Sequence, residues 1–194
     1  MTPMPRIGAL ALAATAGIAL PAAGASVGCR RSTHEHITTY VPPPPPAGFA
    51  EHADVGWRIA APATWKEATQ RGPASWAVAD PQAVDDLHAH VTVSTESFVG
   101  DSYDYARANE AGLRREPRAT VEVAREDVVD GDPTFVVESH WTPTPPSTAA
   151  FRTMQVMLAS RGTGYVVTCG VSSNAFERYR STCSSILHSF AVQR

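Results

Sequence analysis

Lysine is nearly absent from this chain: Lys66 stands alone, and arginine supplies the rest of the fixed positive charge. Acids are in excess, giving a formal net charge of -3 at pH 7, so composition offers no basic face for nucleic acid. Catalytic signatures are missing too. There is no Gly-x-Ser-x-Gly, no His-Glu-x-x-His, no phosphate loop and no glycine-rich dinucleotide turn. By motif this removes the familiar hydrolases, zinc peptidases and nucleotide-dependent enzymes, and the expectation is a non-enzymatic domain without a cofactor. Long apolar runs are absent as well. IGALALAATAGIAL near the start has about fourteen residues, whereas a spanning helix needs about eighteen or more. Cysteine is scarce, with three in 194 residues.

What is present begins with an export leader. One basic residue, Arg6, precedes the short apolar run, and PAAGA after it supplies the small residues a signal peptidase requires. Residues 1–28 are therefore read as a signal peptide. Two mature starts are open. Ala23-Gly24-Ala25 fits ordinary signal peptidase and would leave Ser26 first, whereas Ser26-Val27-Gly28-Cys29 is similar to a permissive bacterial lipobox, with Ser26 where leucine is usual. Cysteine arithmetic bears on the choice. Three thiols in an exported chain leave one unpaired in an oxidising compartment, and lipidation of Cys29 resolves this while leaving Cys169 and Cys183 to pair.

The segment after Cys29 has a tether's composition. Residues 30–50 show no apolar periodicity and contain VPPPPPAG. A proline run favours an extended helix of about 3.1 Å per residue, a reach on the order of 50 Å over the whole segment. Residues 29–53 are accordingly read as a lipidated, disordered tether, in which His34 and His36 are solvated. Residues 54–194 are read as the folded domain.

From Val55 onward the two-residue period of strands appears. Trp57, Ile59 and Ala61 share a side, as do Trp76 and Val78 in SWAVADP, with a turn expected at Asp80-Pro81. In LHAHVTVSTESF, Ala89, Val91 and Val93 alternate with His88, His90, Thr92, Ser94 and Glu96. GDSYDYARANEAGLRRE reads as a helix capped by Asp101 or Ser102 and stopped by Pro117. TVEVAREDVV and TFVVESHW form a hairpin about Asp130-Gly131, and FRTMQVMLAS and YVVTCGV form another about Arg161-Gly162-Thr163-Gly164. A last helix, capped by Ser173 or Asn174, carries Phe176, Tyr179, Cys183, Ile186 and Leu187 in one stripe. On the strand before it Tyr165, Val167, Cys169 and Val171 share parity. If the helix folds onto that face the two sulfurs approach each other; the alternative is two buried free cysteines.

The order of elements, GWRIAAPATW near the start and GYVVTCGVSSNAFERY with ILHSFAV at the end together resemble the PsbP-like superfamily, whose LpqN and DcrB lipoproteins are the nearest-looking branches. The resemblance covers about residues 55–193. It implies an α+β fold, an antiparallel sheet of about six to seven strands with helices packed on its faces. Its members include photosystem-associated proteins, envelope lipoproteins and cytoplasmic chaperones, and it brings no catalytic motif to this chain.

Among chemical candidates, His88 and His90 share one side of a strand and could offer two imidazoles to an ion. A third ligand would have to come from elsewhere, His140 being one candidate, because Glu96 is about 20 Å along an extended strand. A polar outward face is the simpler account, and His140 and His188 read as surface or cap residues. Asp85-Asp86 and Glu126-Asp127 read as solvated charge. Trp57, Trp65, Trp76 and Trp141, with the proline-rich stretch 142–148, fit either a core or an apolar groove for a partner. The leading expectation is an exported cell-envelope lipoprotein, anchored to a membrane by lipid, whose domain binds or scaffolds another envelope protein. The second is a metal-binding or hydrolytic domain centred on His88 and His90.

Overall fold

The hairpin turns explain most of the topology. The computed structural model describes residues 44–68, 74–143 and 149–193; the residues read as a leader, Cys29, His34, His36 and most of the proline-rich stretch 142–148 lie outside them. Its strands are β1 (Phe49–Asp54), β2 (Trp57–Pro62), β3 (Lys66–Glu67), β4 (Ala74–Val84), β5 (Leu87–Ser97), β6 (Ala119–Val129), β7 (Asp132–Trp141), β8 (Phe151–Ser160), β9 (Thr163–Ser172) and β10 (Ala191–Val192). Its helices are α1 (Ser102–Leu113) and α2 (Phe176–His188). Seven strands form one antiparallel sheet in the order β3-β4-β5-β9-β8-β7-β6, and three form a smaller sheet, β1-β2-β10. The expected α+β class is what the chain adopts, with each helix on its own face of the large sheet.

Three two-residue turns build hairpins of the large sheet, and a fourth, Val55-Gly56, joins β1 to β2. Asp130-Gly131 and Arg161-Gly162 lie where expected, both residues of each pair having positive φ, the geometry that matches the right-handed twist of paired strands. The third turn corrects the sequence reading. Asp80-Pro81 does not reverse the chain; β4 continues to Val84 through an irregularity between Ala79 and Ala83, and Asp85-Asp86 makes the turn with φ of 52° and 61°. The bulge accommodates a proline that has no N–H for the ladder, and the Asp80 carboxylate accepts from Gln82 N at 2.9 Å.

Two further boundaries differ. The tether was expected to run to residue 53, but Phe49–Asp54 is strand β1, paired along its whole length with β2. The helix capping expected from Ser173 or Asn174 is not used. Those residues form a 3-10 turn, α2 starts at Phe176 without a side-chain cap, and the Asn174 amide donates to Asp85 instead. After α2 the chain adds β10, which pairs with β2 and closes the small sheet.

The main core lies between the large sheet, α2 and the small sheet. Val91, Val93, Val156, Leu158, Val167 and Ile186 are fully buried there, beside Trp57 and Phe190. On the opposite face α1 starts at Asp101, whose carboxylate accepts from Asp104 N at 2.8 Å. The Ser102 hydroxyl accepts from Ala159 N at 2.9 Å and seats the helix on β8. The Tyr105 ring lies flat on Gly164, where any Cβ would overlap it, and its hydroxyl donates to Glu96 at 2.7 Å. Burial, reinforced by that carboxylate, raises the phenol pKa, so it remains a donor.

Cys169 on β9 and Cys183 on α2 are joined by a disulfide, with both residues fully buried and their Cα atoms 5.6 Å apart. It closes a loop spanning 14 positions. A Cys169→Ala/Cys183→Ala variant is expected to lose about 3 kcal/mol of stability, measured by urea unfolding; a loss below about 1 kcal/mol would show that α2 is held by packing alone.

Candidate functional site

His88 and His90 sit two residues apart on β5, on the α1 side of the sheet but beyond the strands that α1 covers. Backbone carbonyls occupy one nitrogen of each. His88 Nδ1 donates to Asp80 O at 2.8 Å and His90 Nδ1 donates to His88 O at 2.9 Å. The His90 ring lies across Gly170 of β9, so close that a Cβ there would approach its Cε1 and Nε2 to 2.7 Å. Burial, with a smaller contribution from His88, holds the His90 imidazole below its ordinary pKa despite the carbonyl bond, which keeps it neutral at pH 7.

Two free Nε2 atoms do not complete a metal site. His140 is not brought to them: it shares the parity of Val136 and Glu138 on β7, pairs with Arg152, and therefore lies on the α2 face. Glu96 is bound to Tyr105. Among the described residues no group of three or more His, Cys, Asp or Glu is arranged to hold an ion.

The α2 face carries a charged cluster that the sequence reading missed. Glu138 is 3% exposed, in the middle of the apolar strand VVESHW, and accepts from Arg180 of α2. Arg180 also binds Glu177, while Arg152 of β8 binds Glu122 and approaches Glu177 at 3.6 Å. The two guanidiniums pack on the Phe176 ring, at 4.0 Å for Arg152 and 4.7 Å for Arg180. The bonds to Glu177 and Glu138 outweigh the effect of burial and raise the Arg180 pKa. Glu138 Oε2 and Arg152 Nε are buried without hydrogen-bond partners. The only sequence signal was an acid at an inward position of a strand, which period-two parity marks without saying what meets it.

At the end of the sheet where α2 begins, Asp85, Asp86, Ala149, Ala150, Ser173 and Asn174 line a depression of about 410 Å³. Asp85 accepts there from Ser172 and Asn174. Near the other end of α2, His188 Nε2 lies 3.3 Å from the Asp127 carboxylate. The aromatic residues settle the core-or-groove question for three tryptophans: Trp57, Trp65 and Trp141 are at most 7% exposed. Trp76 is half-buried against Trp57 and His52, and Trp141 stacks on Phe151 at 5.7 Å.

Ser184 Oγ lies 3.4 Å from His188 Nδ1, on the far side of the imidazole from Asp127, but that nitrogen is bonded to the Ser184 carbonyl at 2.8 Å and so donates rather than accepts. No protein-family model matches the chain, and no curated protein does. Solved structures do. CyanoP, the cyanobacterial PsbP from Synechocystis sp. PCC 6803, superposes with a TM-score of 0.52 at 14% identity, covering 76% of this chain and 94% of its own. LpqN, described as involved in cell envelope biogenesis of Mycobacterium tuberculosis, gives 0.55 at 12% identity, covering 75% and 92%. The fold is PsbP-like. At these identities the likeness is one of architecture, and the PsbP-like domain here places its own set of residues on that frame.

Two measurements probe this set. Glu138→Ala removes the buried acceptor of Arg180 and is expected to cost about 2 kcal/mol, less than a fully buried pair because Arg180 is partly solvated. Glu177→Ala, at an exposed position, should barely move the urea midpoint. The second concerns Asp127. Burial opposes its ionisation, but the Val128 N–H, His188 and Arg125 outweigh it and lower the pKa. A depressed folded-state pKa gives stability that is present above the unfolded value of about 3.9 and lost as pH falls through the folded one. Asp127→Asn should therefore flatten the acid limb of a Tm-against-pH curve below about pH 4, and an unchanged limb would remove Asp127 from that role.

Proposed function

We propose that this chain is an exported, non-enzymatic envelope lipoprotein, anchored through Cys29, whose PsbP-like domain docks onto or scaffolds another envelope component. The observation that carries this reading is the Cys169–Cys183 bridge, whose two residues are 0% exposed at the centre of the main core. A structural disulfide at that depth suits a chain that folds in an oxidising compartment, which agrees with the leader of residues 1–28. With two cysteines joined, Cys29 is the third, and acylation gives it a use. The architectural likeness to LpqN, whose description is of envelope biogenesis, supports the same compartment. Engagement of the polar side chains in structural bonds supports docking over catalysis.

Mass spectrometry of the protein purified from its native membranes tests the anchor. The expected mature chain begins at a diacylglyceryl Cys29, with Cys29→Ala releasing the protein from the membrane fraction. A native chain that begins unmodified at Ser26 overturns the anchor.

A further inference from the structure

Three loops meet at the end of the large sheet marked by the Arg161-Gly162 turn. From the α2 side comes the β1–β2 turn. Its Gly56 lies so close to the Tyr165 hydroxyl that a Cβ would approach it to 2.8 Å, and Gly56 O accepts from Gln193 N at 2.9 Å. From the α1 side comes the β5–α1 connection, where Phe98 N donates to Gly162 O at 3.0 Å and the Phe98 ring packs on Tyr105 at 4.7 Å. The Asp130-Gly131 turn completes the end, its Asp130 carboxylate accepting from Val192 N at 3.0 Å. These loops are pinned by hydrogen bonds.

Two of them nevertheless hold a valine almost wholly in water. Val55 is 93% exposed and Val99 is 95% exposed, and Val128, just before the third turn, is 58% exposed. One exposed valine needs no explanation. Here three of the four exposed large hydrophobic side chains among the described residues crown one end of the molecule. The Asp54 carboxylate accepts from Val55 N at 2.7 Å and fixes the turn that presents it. Exposed acids border the tips: Asp54 beside Val55, and Asp101 and Asp104 after Val99.

We infer that this end is a docking surface for a protein partner that offers an aliphatic cleft bordered by lysine or arginine. The inference rests on the reading of the chain as an exported docking domain. An apolar centre with a charged rim is the usual anatomy of such contacts, and acidic rims attract basic partners and repel anionic lipid. The attachment point of residues 1–43 agrees. Phe49 pairs with Pro62 at one end of β1 and Asp54 with Trp57 at the other, so the preceding chain joins the domain away from the valines. That junction leaves the tips clear, and although Arg161 is exposed in the marking turn, Asp54, Asp101 and Asp104 outnumber it, which disfavours both a second copy and an anionic lipid surface.

The test uses the full-length protein in its native membranes, with a photo-crosslinking residue at position 55, at position 99 or at the control position 86, which is exposed at the opposite end. Positions 55 and 99 should yield the same discrete protein adduct, with crosslinks to an apolar partner peptide flanked by lysine or arginine. Adding Val55→Asp to the chain probed at position 99 should cut the yield about tenfold, equivalent to about 1.4 kcal/mol, and raised salt should weaken it further. Thermal melting of Val55→Asp should match the parent, since that side chain is already solvated. Adducts to lipid, adducts to a second copy, or equal yields from all three positions overturn the inference. A partner captured from position 86 alone overturns this surface while leaving the docking function standing, and no protein adduct from any position overturns both.

Discussion

The bond between Cys169 and Cys183 sets the terms for the rest of the molecule. Cys169 lies on β9, fourth of the seven strands of the large sheet, and Cys183 lies at the middle of the apolar stripe of α2. Joining them fixes which face the last helix covers and at what height. The other inward groups then follow: Phe176 beneath Arg152, Tyr179 near Trp65 with its hydroxyl on Asp80, and Phe190 between Trp57 and Tyr165. Ser189 continues the line, its hydroxyl accepting from Ala60 N and so binding the small sheet to the end of the helix.

The two faces of the sheet are held by different physics. The α2 face is an apolar core with one charged boundary, where Glu138 is buried against Arg180 and a phenylalanine ring accepts two guanidiniums. Desolvating those charges is costly unless they find each other, and cation–ring contact offsets part of that cost. The α1 face has a smaller apolar cluster around Tyr105, Ala106, Val137 and Met157. Outside the area that α1 covers it is polar, with His88, His90, Thr92 and Thr168 along β5 and β9.

Much of this was legible in the sequence because it depends on local periods. Parity in LHAHVTVSTESF separated Val91 and Val93 from His88 and His90, and the stripe Phe176, Tyr179, Cys183, Ile186 and Leu187 gave the buried side of α2 and, with the parity of Cys169 on β9, left a sulfur pairing as one of two outcomes. Asp-Gly and Arg-Gly announced their turns because left-handed geometry limits which residues fit. What stayed hidden was set by tertiary partners. Asp85-Asp86 makes a turn without glycine, and Pro81 sits inside a strand because a bulge absorbs it. Phe49–Asp54 has weak alternation and becomes a strand through pairing with β2, while Asn174 leaves the cap position to bind Asp85 from a distant hairpin. His140 could not be assigned a face until the β7–β8 register was known, and Glu138 needed Arg180, 42 positions away, to make sense.

The strand order also governs assembly during synthesis. β9 lies between β5 and β8, although it is the last of the seven strands to be made. Until residues 163–172 emerge, one half-sheet of β3 to β5 and another of β6 to β8 have no common partner. A chain leaving the ribosome therefore cannot complete its large sheet until close to its end, and within that sheet the strand that joins the two halves is the one whose contacts reach furthest back along the sequence.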